Sequence, residues 1–217
     1  MEKIIGMIGP MLDGANITLQ MFFITLLLSL PLGLVMALAR MSKYKPLSFL
    51  VETYIWLMRG TPLMLQLLFV YYALPLIPYI GIKLSDFPAA VLAFVCNYGA
   101  YFAEIFRGGI QSIERGQYEA GKVLGMTYVQ TMRRIILPQM IKRVLPPISN
   151  ETITLVKDTS LIYVLAMNDL LRTARTIVQR EFDLTPFFIA AVFYLAMTLI
   201  LTWMFNKLEK RYAAYDE

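Results

Sequence analysis

The sequence predicts an all-α fold of the integral-membrane class, on three observations: long charge-free apolar runs, proline signals at their starts, and basic residues concentrated on alternate connections. Of 217 residues, 58% are hydrophobic, and they gather in runs at 15–39, 61–82, 87–103 and 187–205 that contain no charged side chain. Each run approaches the ~20 residues that a helix needs to cross the ~30 Å hydrocarbon core of a bilayer. A fifth run, 144–167, is interrupted by Glu151, Lys157 and Asp158. A segment in lipid must pair its own backbone groups, so about five transmembrane helices are expected.

Taken in order, the first run carries Ser29, Gly33 and Ala37 at every fourth position, a small-residue stripe along which another helix backbone can approach. Packing within the chain is preferred over a dimer seam for that stripe. The run is too long for a signal-peptide core and lacks a small-residue cleavage pattern, so it is expected to be retained. Residues 47–58 are apolar but too short to cross once Glu52 and Arg59 are counted, and are expected as an interfacial or re-entrant helix leading into the second run. Ser85-Asp86 precedes Pro88 at the third run, Pro146-Pro147 opens the fourth, and Thr185-Pro186 opens the last.

Orientation follows from the distribution of Lys and Arg. Arg40, Lys43 and Lys45 follow the first run. Arg107, Arg115, Lys122, Arg133, Arg134, Lys142 and Arg143 lie between the third and fourth, and Lys207, Lys210 and Arg211 follow the last. These segments are expected in the cytoplasm. The opposite face keeps Lys3, Lys83 and the trio Arg172, Arg175 and Arg180, which Asp169, Glu181 and Asp183 dilute. The expected topology is a multi-pass protein of the cytoplasmic (inner) membrane, N-terminus outside and C-terminus inside, in contact with lipid.

Composition removes several function classes. The net charge of +5 is scattered and too weak for a nucleic-acid surface, so no nucleic-acid partner is expected. With no histidine and one cysteine, Cys96, there is no His/Cys metal site, no Cys-His catalysis and no disulfide within the chain. Residues 116–122 read G-x4-G-K, the start of a phosphate-binding loop, but Val123 stands where a Ser or Thr would hold magnesium, and no hydrophobic strand precedes. The chain is not expected to energise transport alone.

The connection 107–143 is too long for a turn and too varied for disorder. It contains Glu119-Ala120, Gly125, Ile135, Leu137 and Pro138, an E-A-x4-G-x9-I-x-L-P pattern that resembles the EAA motif of ATP-binding cassette (ABC) importer permeases. The glycine suits a break between two helices on the cytoplasmic surface. Gly121 departs from the usual alanine and is expected to loosen the first of them. Arg59-Gly60-Thr61-Pro62, Ala103-Glu104-Ile105-Phe106-Arg107-Gly108-Gly109-Ile110 and Lys157-Asp158-Thr159-Ser160-Leu161 are similar to the polar amino-acid branch of these permeases. The resemblance covers residues 17–212. It implies a type I importer permease: a single transmembrane domain, 1–217, with a coupling segment at 108–143 in which Glu119, Ala120, Gly121 and Gly125 meet an ATPase. It also implies a second permease copy or paralogue, an ABC ATPase subunit that binds ATP and Mg, an extracytoplasmic amino-acid-binding protein, and an amino acid as cargo. No cofactor is expected in the chain itself, and no enzyme activity.

Independent of resemblance, the fourth run points to a polar interior. Glu151, Lys157 and Asp158 cost roughly 2.5–3.5 kcal/mol each at a helix centre, about 7–10 together, whereas the run's Val, Leu and Ile residues return only about 3–6 kcal/mol. That helix cannot face lipid all round. Glu151 and Asp158, nearly two turns apart, share a face with Thr154 and Leu155 between them, and two carboxylates on one face attract a cation. Glu151 has two readings: a buried ion pair with Arg59, or a counter-charge for a basic amino-acid side chain. Asn97 and Tyr98 offer hydrogen bonds to a substrate's amino or carboxylate group, with packing in the bundle as the alternative reading, and Ser160 is placed with them. Lys157, about 100° away, is assigned a structural role, paired with Glu104 or with Asp158 of a neighbouring subunit, and Arg59 and Glu104 are likewise structural or gating. The other classes weighed are an ATPase-independent ion-coupled transporter or channel, and a membrane scaffold that moves nothing.

Overall fold

The computed structural model describes residues 2–78 and 81–213. The Lys3 side chain, and Tyr79 and Ile80 of the expected second span, lie outside the described residues. The first helix, α1 (Glu2–Arg40), has 39 residues and not the 25 of the apolar run, and is therefore roughly 58 Å long, about twice the hydrocarbon thickness. Its N-terminal part is helical because it has something to pack on. Met7, Met11 and Ala15 cluster with Leu170, Ala174 and Ile177 of α8 (Leu170–Glu181) and with Ala190 of α9 (Thr185–Ala213).

The segment before the last span was expected as a connection, and α8 corrects that reading. Its apolar positions recur at i, i+4 and i+7 among arginines, a narrow stripe that composition conceals. Asp169 starts the helix, accepting hydrogen bonds from the amides of Leu171 and Arg172 at 3.1 Å each, and the Leu170 amide donates to Thr18 Oγ1 at 3.3 Å. Burial pushes the Asp169 carboxyl up to about 6 from its ordinary 3.8, against the pull of those amides.

Helix α4 (Asp86–Gln111) occupies the centre, with Phe94, Tyr98 and Phe102 on its buried face. It meets α1 at the small-residue stripe: Ser29 and Ala37 are fully buried, and a Cβ built on Gly33 would lie 2.6 Å from Phe102 Cβ and 3.0 Å from the Ala103 nitrogen. The stripe packs within the chain.

The segment 47–58 belongs to α2 (Lys45–Gly60), which is bent by 107° from the helical stretch Leu63–Leu76 that follows. That stretch is α3 (Leu63–Leu68), a π turn (Phe69–Ala73) and a 3-10 turn (Leu74–Leu76). The long connection after α4 folds as α5 (Arg115–Val123), α6 (Tyr128–Thr131) and a π turn (Met132–Ile136) that runs directly into α7 (Leu137–Asp158) and a 3-10 turn (Thr159–Leu165). Pro146 and Pro147 therefore lie inside α7 and do not open it; Pro138 stands in its first turn instead.

Among the described residues, three helices are long and apolar enough to cross a membrane, Ile5–Arg40, Asp86–Gln111 and Thr185–Tyr212, and the bent pair makes a fourth if taken as one span. Helix α7 does not pass on composition because of its charged residues, so the expected count of five is not established by length and apolarity. Helix α9 is peripheral, with 6% of its apolar window buried against the rest of the chain. Replacing Gly33 by valine forces a branched side chain into the α1–α4 contact, where backbone lies 3.0 Å away. The expected loss is about 1–3 kcal/mol, read as a lower melting temperature in detergent; an unchanged melting temperature would show that the two helices do not need this approach.

Candidate functional site

The site begins with a missing amide. Met58 is four residues before Pro62, and proline has no N–H to complete the helical bond to the Met58 carbonyl. A carbonyl left unpaired at membrane depth costs several kcal/mol. Side chains supply the donors: Gln66 Nε2 reaches the Met58 carbonyl at 2.9 Å and Asn97 Nδ2 reaches it at 3.1 Å. Gln66 Nε2 also donates to the Thr61 hydroxyl at 2.8 Å, the Thr61 hydroxyl donates to the Leu57 carbonyl at 2.8 Å, and Asn97 Nδ2 donates to Gln66 Oε1 at 3.0 Å. Asn97, read from sequence as a substrate contact or as bundle packing, thus spends its amide on holding the break open. Gln66 was missed in the sequence reading; its signal is a lone amide in an apolar run, one turn after Pro62.

The held-open break forms one wall of a cavity of about 560 Å³. Arg59, Gly60, Thr61, Pro62 and Leu63 line that wall, Asn97, Tyr98 and Tyr101 come from α4, and Glu151, Thr154, Asp158 and Leu161 come from α7 and its 3-10 continuation. Tyr98 Oη donates to Asp158 Oδ2 at 2.8 Å, and the Arg59 guanidinium lies 5.2 Å from the centroid of the Tyr101 ring. Glu151 and Arg59 face the same space, yet no ion pair within 4.0 Å joins them. Two carboxylates and one guanidinium thus bound a polar chamber. A second cavity of about 350 Å³, lined by Arg40, Glu52, Ile55, Trp56, Arg59, Gly60 and Glu104, shares Arg59 and Gly60 with it.

Of the residues grouped from sequence, Glu151, Asp158, Asn97, Tyr98 and Thr154 come together, and Ser160 does not. The chain tightens to a 3-10 turn at Thr159, so the residue stacked on Asp158 is three positions on, Leu161. Leu155, read between the carboxylates, turns fully into the core. The proposed Lys157–Glu104 pair is not formed. Glu104 takes the Arg107 guanidinium in a fork and lies 4.0 Å from Arg40 Nε, while Arg40 Nη2 reaches Glu52 Oε1 at 3.1 Å.

The segment between α4 and α7 is built around Gly125, whose φ of +70° ends α5. The Met126 amide donates to the Gly121 carbonyl at 3.0 Å and the Gly125 amide to the Lys122 carbonyl at 2.9 Å, a Schellman closure. Thr127 and Gln130 then start α6 with a reciprocal capping box. Val123, Leu124, Tyr128 and Val129 stand exposed around the turn, with Glu119 and Ala120 exposed on α5. Gly121 does not loosen this unit: it is buried, and a Cβ there would lie 2.6 Å from Thr131 Oγ1, so its lack of a side chain seats α5 against α6. Residues 116–122 lie within α5, in a helical setting unlike a phosphate-binding loop.

Residues 29–214 match the family described as the inner membrane component of binding-protein-dependent transport systems. The chain belongs to this family. Its members are transport components of the inner membrane and not enzymes. Among curated relatives, the L-cystine transport system permease protein TcyB of Bacillus subtilis (strain 168) is 39% identical over 95% of this chain and 88% of its own. The arginine transport system permease protein ArtQ of the same organism is 36% identical over 94% and 93%. A solved amino acid ABC transporter with histidines superposes with a TM-score of 0.88 at 36% identity, covering 96% of this chain and 97% of that one.

The break makes a direct prediction. Gln66→Leu removes the donor to Met58 and Thr61 while Asn97 keeps only part of the repair, so folding stability in detergent should fall by about 1–3 kcal/mol. A Gln66→Leu protein that melts with the parent would mean that the break does not rest on this side chain.

Proposed function

We propose that the chain is the transmembrane permease subunit of an ABC importer for polar amino acids, with basic ones favoured. The observation that carries the reading is the placement of Glu151 and Asp158 on the wall of one cavity beside Thr154 and Tyr98. These carboxylates suit a cationic side chain, and Arg59 across the cavity suits the carboxylate of a zwitterion. Relatives named for arginine and for L-cystine share most of the chain's length, which argues that cargo is set by side chains on the wall and not by the architecture.

The energy would come from a separate ATPase subunit that holds ATP and Mg and grips the exposed surface around Gly125. Cargo would arrive from an extracytoplasmic amino-acid-binding protein, and a second permease, a copy or a paralogue, would complete the pathway. Five spans, counting α7 with its 3-10 continuation, would put the N-terminus outside and the C-terminus inside, as the Lys and Arg distribution favours.

Each part has its own test. In a Cys96→Ser background, a cysteine at Ser112 should react with a membrane-impermeant reagent only after the cytoplasmic face is opened; labelling from outside reverses the topology. Gly125→Arg places a long, bulky side chain in a left-handed turn and a cation in the docking surface, so it should abolish ATPase association and uptake while still inserting. Retained association and uptake would mean that the ATPase docks elsewhere. Glu151→Gln keeps size and removes charge: uptake of arginine should weaken by roughly 1.5–3 kcal/mol, about ten- to a hundredfold in affinity, and uptake of glutamine much less. Equal losses for both would sink the cation-site reading.

A further inference from the structure

We propose that Arg59 is a gate between the chamber of Glu151 and Asp158 and an exit route of two further cavities, held toward the chamber by those carboxylates and released when a cationic side chain takes Glu151. This deepens the permease reading and rests on it. The second cavity shares Arg59 and Gly60 with the chamber. A third, of about 320 Å³, shares Glu104 with the second and reaches Gly108, Ser112 and Arg143. One face of α4 and its C-terminal cap runs past all three: Asn97, Tyr101, Glu104, Gly108 and Ser112 fall within a narrow arc at 3.6 residues per turn. At 1.5 Å per residue they extend about 22 Å, from the chamber to the residues just before α5.

Arg59 stands at the first junction without a fixed anion. Among the described residues no carboxylate lies within 4.0 Å of its guanidinium, which rests over the ring of Tyr101, between Asn97 and Glu104 on that face. It is within electrostatic reach of Glu151 on one side and of Glu104 on the other. The side chain is exposed, and Gly60 beside it leaves open space where a side chain would stand, so a change of rotamer meets little resistance. Charge decides which way it turns. The chamber presents Glu151 and Asp158, whereas Glu52 and Glu104 at the second cavity are already balanced by Arg40 and Arg107. An empty chamber therefore draws the guanidinium in, where it obstructs the junction. Counting its own ammonium and carboxylate, an amino acid with a cationic side chain brings a net positive charge and weakens that pull, so Arg59 turns toward Glu104. A zwitterion brings no net charge and leaves the pull in place.

The test uses the full chain in membrane vesicles, in a Cys96→Ser background, with a neutral, membrane-impermeant maleimide applied at the face from which Ser112→Cys reacts. Trp56→Cys in the second cavity should react readily and Thr154→Cys in the chamber slowly. Arg59→Ala and Glu151→Gln should each speed the reaction of Thr154→Cys severalfold, while Arg59→Lys keeps it slow and the rate at Trp56→Cys is unchanged. An unchanged rate at Thr154→Cys in the Arg59→Ala protein overturns the gate. So does equal acceleration at Ala190→Cys, a buried position between α1 and α8, because that reports a loosened fold. Release is read separately: Trp203→Phe leaves Trp56 as the sole tryptophan, and arginine should shift its emission while glutamine does not. An equal shift with both, or none with arginine while arginine uptake proceeds, overturns release by a cation. Absence of ATPase-dependent uptake removes the permease reading instead, and the cysteine rates then decide the gate by themselves.

Discussion

Pro62 withholds one amide from the Met58 carbonyl, and in a membrane that single omission has to be made good by the protein. Water cannot do it, so Gln66 and Asn97 converge on the carbonyl from two different helices. The consequence is geometric. The chain turns through 107° at a fixed point, and the turn leaves a polar wall where a straight helix would leave a greasy one. Asn97 can serve because α4 is itself held by α1, whose Gly33 lets the two backbones touch. The cavity thus depends on a chain of contacts that starts with a proline and ends in the bundle's centre.

Charged residues explain where the cavity opens. Glu151 and Asp158 would be prohibitive on a lipid-facing helix, and α7 carries them on a face that looks into the cavity of about 560 Å³. Asp158 is further steadied by the Tyr98 hydroxyl. Toward the C-terminal ends of α1 and α4 a different solution operates: Arg40, Glu52, Glu104 and Arg107 neutralise one another directly. The same residue types thus serve two ends. Where carboxylates are matched within the chain, they tie helices together; Glu151 and Asp158 instead face the cavity.

The unit between α4 and α7 shows how little sequence is needed to fix an exposed helix–turn–helix when backbone conformation does the work. Gly125 in the left-handed region closes α5, Thr127 and Gln130 open α6, and Gly121 lets the two pack without a gap. Apolar side chains that would ordinarily be buried, Val123 and Leu124 among them, are left on the outside of the turn. At the opposite end α8 performs the converse task, covering Met7, Met11 and Ala15 of α1.

By itself the sequence determined the class of fold, the long helices, the helix break at Gly125 and the pairing of Glu151 with Asp158 on one face. All of these follow from short-range rules: hydrophobic length, the φ freedom of glycine and the 3.6-residue repeat. It left α8 and the N-terminal extension of α1 unseen, because each is helical only by virtue of the other. It set α7 to begin at its paired prolines, because the preceding π turn that carries the helix back to Leu137 is a packing outcome and not a propensity. It placed Ser160 with the cavity residues, whereas the chain enters a 3-10 turn at Thr159 and Leu161, not Ser160, lines the wall. Only the tertiary structure decided that Asn97 repairs a backbone and that Gln66 matters at all. The demand of the Met58 carbonyl is local and can be read from Pro62, but the side chains that meet it are 8 and 39 residues away, brought there by the packing of helices.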